Sequence, residues 1–203
     1  MSRLGPGVCG FAWGGAMAIR RDTFHELDVR AYWKGTVSDD YALTAAVHDA
    51  GLTIAFAPGA MVPSYERRTG REILAWMRRQ LTITRVYNGG LWWLALLGHI
   101  FYCGGMAASI VASLRGFRLA EWALIAQLSP GMLKGLNRAT LAKAALPECE
   151  AWFKRHQWVH AIWVPLGTWL WLAILMSSAV GSTIRWRGYR YKLKRPLVRR
   201  AAK

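Results

Sequence analysis

Ser38-Asp39-Asp40-Tyr41 puts two carboxylates at the start of a stretch with helical character. A carboxylate in the first turn of a helix can take the proton of a hydroxyl nucleophile lying within hydrogen-bond reach, which is what sugar transfer to an alcohol requires. The same placement complements the positive end of a helix dipole, so the pair also has a purely structural reading. A second group is cationic: Arg71, Arg78 and Arg85 recur seven residues apart, near one face of a helix. Such a face can hold anionic headgroups or a departing diphosphate, or it can be a solvated face beside lipid. His156 and His160 have the spacing of a helical metal pair, but His25-Glu26 opens no HExxH motif and no third ligand stands out. Gly-x-Ser-x-Gly and P-loop patterns are absent. Cys9, Cys103 and Cys149 are widely separated and fit neither a disulfide framework nor a zinc site.

The elements that must position these residues read as α/β up to residue 90. Ser38 can cap a helix that runs to about Ala50 and stops at Gly51, with Leu43, Ala46, Val47 and Ala50 on its inner face. Residues 11–19 and 52–57 are expected strands, with a third short one over 61–65 after the Pro58-Gly59 turn. Thr69-Gly-Arg-Glu72 is a capping box opening a helix of some eighteen residues. Its apolar stripe is Leu74, Met77 and Leu81, with Trp76, Gln80, Ile83 and Tyr87 on a third face.

The rest of the chain points to a membrane. Hydrophobic residues make up 54% of it, twelve of them Trp, and mean hydropathy is positive. Residues 91–114 and 158–180 carry no formal charge and exceed the roughly 20 residues a span needs. Trp92 and Trp93 stand at one edge of the first span and Arg115 and Arg118 at the other, the places where aromatic and basic side chains meet the lipid interface. Pro165 and Gly167 leave a kinked or partly re-entrant second helix open. Residues 119–133, broken by Pro130 and Gly131, read as interfacial or re-entrant, and 137–146 as an interfacial amphipathic helix.

Lys and Arg outnumber Asp and Glu 27 to 11, and eight of those acids precede residue 90. Residues 185–203 carry nine basic side chains and no acid, a tail attracted to anionic lipid headgroups rather than to nucleic acid. Two spans return the chain to its starting side, which the positive-inside tendency makes cytoplasmic; a third crossing would export the tail. The first residues have no apolar core of a signal peptide.

The order Trp13-Gly14-Gly15-Ala-Met-Ala-Ile-Arg20-Arg21, then Ser38-Asp-Asp-Tyr41, then Ala50-Gly-Leu, then Arg79-Gln80-Leu-Thr-Ile-Thr84-Arg85-Val-Tyr87, resembles the second half of family 2 GT-A glycosyltransferases, in particular their ceramide glucosyltransferase-like branch. Ile184-Arg-Trp186-Arg187-Gly188-Tyr-Arg-Tyr191 resembles the basic segment after the last membrane helix of that group. The resemblance implies transfer of a sugar from a UDP-sugar to a membrane lipid at the inner membrane. It implies Asp40 as the general base, with Asp39 where Glu is common, and Arg85, Gln80, Arg79, Arg78, Gly14 and Gly15 as the residues that bind substrate or diphosphate. In the family's Gln-x-x-Arg-Trp motif, Arg85 matches the Arg, Val86 replaces the Trp, and Thr82 occupies the Gln position, with Gln80 two residues earlier. A single transfer to lipid fits that departure better than processive polymer synthesis.

The expected organisation is therefore an acceptor-side part of a GT-A domain over 1–90, a membrane region over 91–183 and a basic tail over 184–203. The Asp-x-Asp that holds Mg or Mn on the donor's diphosphate in this family is missing. The chain thus reads as a truncated or split enzyme whose donor-binding half comes from elsewhere. The alternative is a non-catalytic membrane remnant or accessory subunit.

Overall fold

Local instructions in the sequence become helices, and the apolar runs expected as strands do not become a sheet. A computed structural model describes residues 10–194, which are mostly helical with one two-stranded sheet. Helices α1 (Arg21–Glu26), α2 (Val29–Trp33) and α3 (Asp39–Asp49) enclose a small core of Ala12, Leu27, Val29, Tyr32, Ala42, Leu43, Ala46 and Val47. Leu43, Ala46 and Val47 are buried as the helical period requires, whereas Ala50 is the exposed C-cap. Gly51 follows at φ 71°, the left-handed conformation that ends a helix with least strain in glycine.

The strands expected over 11–19, 52–57 and 61–65 are not formed. A turn closed by the Ala16 N–H on the Trp13 carbonyl (3.0 Å) interrupts the first run, and the Ala12 N–H donates to Thr44 Oγ1 (3.0 Å) rather than to a strand. The 3₁₀ turn Pro58–Ala60 separates the other two. An apolar run gives extended chain, but a strand exists only where a neighbour takes its backbone hydrogen bonds. Among the described residues none does so here.

Helix α4 (Gly70–Tyr87) opens with the expected capping box: the Thr69 N–H donates to the Glu72 carboxylate (2.7 Å) and the Glu72 N–H to Thr69 Oγ1 (3.3 Å). After Asn88, whose Oδ1 caps the next turn, comes α5 (Gly89–Leu114). Gly89–Leu114 and Pro147–Ser178, the latter containing α7 (Glu150–Ser178), are long and apolar enough to cross a membrane, with mean hydropathies of 1.7 and 1.6. Pro165 lies inside α7 without ending it.

Between them, α6 (Arg118–Ala145) is one 28-residue helix, where two elements broken at Pro130 and Gly131 were expected. Packing explains its continuity, because neighbouring helices sustain a proline-bearing helix. Tyr102 of α5 donates through its hydroxyl to the Gln127 carbonyl (3.0 Å), and the Gln127 amide donates back to the Tyr102 carbonyl (2.6 Å). Gly131 and Gly135 let α7 approach so closely that a Cβ on Gly135 would lie 2.1 Å from the His160 carbonyl oxygen, the small-residue mode of helix association. His156 and His160 lie against Trp152 and Phe153, and no three metal-ligating side chains cluster among the described residues. Trp92, expected at the lipid interface, is instead 2% exposed and donates to Ser178 Oγ (2.9 Å). It packs with Leu96 and Leu175 at the junction of α4, α5 and α7.

Residues expected as a plain basic tail form a hairpin, β1 (Thr183–Trp186) and β2 (Tyr189–Lys192). Arg187 and Gly188 have φ of 49° and 84° between the paired Trp186 and Tyr189, the two positive values a type I′ turn demands. Ile184 and Leu193 are buried against Ile83, with Val37, Tyr41, Val86, Tyr87 and Tyr191 around them.

Candidate functional site

Asp39 and Asp40 occupy the first turn of α3, where backbone N–H groups have no intrahelical acceptor. Asp39 Oδ1 accepts from the Asp40 N–H (3.0 Å), and Asp40 Oδ1 accepts from the Tyr41 N–H (2.8 Å). Ser38, expected to cap the helix through its side chain, instead gives its hydroxyl hydrogen to Asp40 Oδ1. The carboxylates have taken over the capping role. Asp40 Oδ2 remains less engaged, with only a long contact of 3.4 Å from the Gly14 N–H. Asp39 is exposed and Asp40 half-buried.

The loop facing this turn is shaped by its two glycines. A Cβ on Gly14 would stand 3.2 Å from Asp39 Oδ1 and 3.6 Å from Asp40 Oδ2, so a side chain there would crowd both acids. At Gly15 a Cβ would meet the Trp13 ring at 2.8 Å, and the indole, 67% exposed, lies folded over the loop. Trp33 Nε1 donates to the Asp39 carbonyl (3.1 Å), a second hold on the start of α3.

Helix α3 is tied to α4 through Tyr41. Its hydroxyl donates to Thr84 Oγ1 (2.8 Å), and Thr84 donates to the Gln80 carbonyl one turn earlier (3.0 Å). The rings of Tyr41 and Tyr87 stack at 5.8 Å, Phe11 meets Tyr41 edge-on at 4.6 Å, and the Tyr87 hydroxyl accepts from the Val37 N–H (3.0 Å). Burial, with a smaller contribution from the Asp40 charge, raises the Tyr41 pKa above its ordinary value; the Thr84 bond acts the other way.

The cationic residues are divided. Arg78 Nε donates to the Ser177 carbonyl (3.1 Å) and Arg85 to the Gly181 carbonyl, so both hold the end of α7 and its exit loop. Cationic side chains at a helix C-terminus are favoured by its unpaired carbonyls and its dipole. Arg85 Nε is buried and makes no hydrogen bond among the described residues. Arg79, half-buried, has its pKa lowered by burial and next by the charge of Arg68.

Of the residues expected from the sequence, Asp39, Asp40 and Gly14 meet directly; Gly15 seats the Trp13 ring, and Gln80 joins through Thr84 and Tyr41. Arg78 and Arg85 are engaged at α7. The sequence reading missed the Tyr41–Thr84–Tyr87 junction, whose signal lay in Tyr41 following the acids and in Thr84 and Tyr87 one turn apart. The described residues do not fit a divalent metal: the acid pair has no third ligand beside it, and its oxygens already accept backbone and hydroxyl hydrogens.

A family model described as Glycosyl transferase family 21 matches residues 4–196, nearly the whole chain. No curated protein and no solved structure matches it.

Proposed function

The chain belongs to glycosyl transferase family 21, and we propose that the sugar it serves to transfer passes from a nucleotide sugar to the hydroxyl of a membrane lipid, as in ceramide glucosyltransferase-like enzymes. The observation that carries this reading is the state of Asp40. Oδ1 is saturated by Ser38 and the Tyr41 N–H, while Oδ2 has only the long contact from Gly14. Oδ2 is therefore the atom that takes the acceptor's proton as its oxygen attacks the anomeric carbon and the nucleoside diphosphate departs. Asp39 completes the acidic pair beside it.

Arg79, Gln80 and the guanidinium of Arg85 are the groups on α4 that we assign to steadying the diphosphate, with Gly14 and Gly15 leaving room for substrate at the acidic turn. Arg78 contributes chiefly by holding α7. A divalent cation on the diphosphate, supplying charge neutralisation, has no holder among the described residues. We place α5 and α7 across the cytoplasmic membrane, with the acidic pair and the hairpin at its inner face. An acceptor lipid then presents its hydroxyl where α4 passes into α5. A partial GT-A domain remains the proposed ancestry of residues 1–90.

The test is transfer of radiolabelled sugar from a panel of UDP-sugars to lipid, in membranes containing this chain with and without a donor-binding half from a related enzyme. Labelled lipid in either arm supports the reading. No labelled lipid in both arms would overturn it.

A further inference from the structure

The β1–β2 hairpin sorts its side chains into two faces to which the proposed transfer assigns no role. Alternation puts Ile184, Trp186, Tyr189 and Tyr191 on one face, and Thr183, Arg185, Arg190 and Lys192 on the other. The inner end of the first face is consumed in the core at Ile184, but Trp186 and Tyr189 at the tip are 42% and 70% exposed. On the second face Arg185 stands directly opposite Arg190, and Lys192 follows two residues on. Like charges placed opposite each other destabilise a ladder, and a two-stranded hairpin has little stability to spare. No carboxylate pairs with these three cations among the described residues. Arg187 adds a fourth charge, its guanidinium 5.5 Å from the Trp186 ring centre. An anion between the arms would turn that repulsion into attraction.

We propose that the hairpin Thr183–Lys192 docks tip-first on an anionic phospholipid surface, with Arg185, Arg190 and Lys192 taking headgroup phosphates and Trp186 and Tyr189 entering the headgroup layer. Position selects lipid among anions. The hairpin starts five residues after Ser178, the end of a helix long and apolar enough to cross a membrane, so its cations lie near the edge of any bilayer that helix enters. Exposed Trp and Tyr beside basic residues match that boundary, where amphipathic rings settle and phosphates concentrate. The docking stands apart from sugar transfer and is read without it.

The experiment reconstitutes the full chain into vesicles of phosphatidylcholine, with or without phosphatidylglycerol, and follows chymotryptic cleavage after Trp186 and Tyr189 by mass spectrometry. Phosphatidylglycerol is expected to slow that cleavage about tenfold, an effect reversed by high salt. R185Q/R190Q should lose most of the protection, while R185K/R190K, which keeps the charge, should retain it. Equal cleavage in the two lipids would overturn the proposal, as would protection that survives R185Q/R190Q. Protection by an added single-stranded oligonucleotide but not by phosphatidylglycerol would overturn it in favour of nucleic acid.

Discussion

The Tyr41 hydroxyl donates to Thr84 Oγ1 at 2.8 Å, and this bond joins the helix that starts with the acidic pair to the helix that leads into the first membrane-length segment. Asp40 sits one residue from the donor and Arg85 one residue from the acceptor. The register of α3 against α4 therefore sets how candidate base and candidate cation stand relative to each other.

Tyr41→Phe keeps the ring stack on Tyr87 and removes the bond. It should lower stability by about 1 kcal/mol, and Thr84→Val by a similar amount, with the double variant losing less than the sum. Thermal unfolding in detergent measures all three. Full additivity would show that the bond does not couple the helices.

Because the Tyr41 pKa lies above the ordinary value of 10.0, the folded state holds the phenolic proton more tightly than the unfolded chain. The stability this gives is complete below that ordinary value and is lost as pH rises through the folded pKa. Alkaline unfolding curves of the wild type and Tyr41→Phe should converge in that window. Parallel curves would be the contrary result.

Two glycines in the helical region should respond in opposite directions. At Gly135 a Cβ would meet the His160 carbonyl oxygen at 2.1 Å, so Gly135→Ala must separate α6 from α7 and should cost about 1–3 kcal/mol. At Gly104 a Cβ meets nothing within 4 Å, and Gly104→Ala should gain about 0.5–1 kcal/mol from helix propensity. Resistance to unfolding by denaturing detergent ranks the two variants against the wild type.

Arg78 and Arg85 differ in what their removal should reveal. Arg78→Gln should speed amide exchange around residues 177–181 and leave the KM for nucleotide sugar little changed. Arg85→Gln should do both, loosening the Gly181 contact and raising KM, because its guanidinium is the cation proposed for the diphosphate. An unchanged KM in Arg85→Gln would confine that residue to holding α7.

What the sequence disclosed follows from how local each signal is. The capping box at Thr69 and Glu72, the Gly51 stop and the two membrane-length helices depend on neighbours within a turn or on simple length, and all are formed, although the second helix starts at Glu150 rather than at 158 and ends at Ser178. The strands depended on distant partners that a hydrophobic run cannot name, and residues 11–19 turn at Trp13 instead. Pro130 read as a break because the support that α6 receives from Tyr102 and α7 lies 25 or more residues away. The hairpin was hidden by its turn: Arg187-Gly188 does the work usually signalled by Asn-Gly. The placement of the acidic pair in the first turn of α3 was legible, but the capture of Arg78 and Arg85 by carbonyls nearly a hundred residues on was not.

The most direct measurement is sugar transfer to lipid by Asp40→Asn in the active membrane preparation, with membrane insertion checked in parallel. Asn keeps the shape of Asp40 and an oxygen for the Tyr41 N–H but cannot accept the acceptor's proton. Loss of transfer by about 10²- to 10⁴-fold with insertion intact is the expected result. Transfer close to the wild-type rate would contradict the assignment of Asp40 as the base.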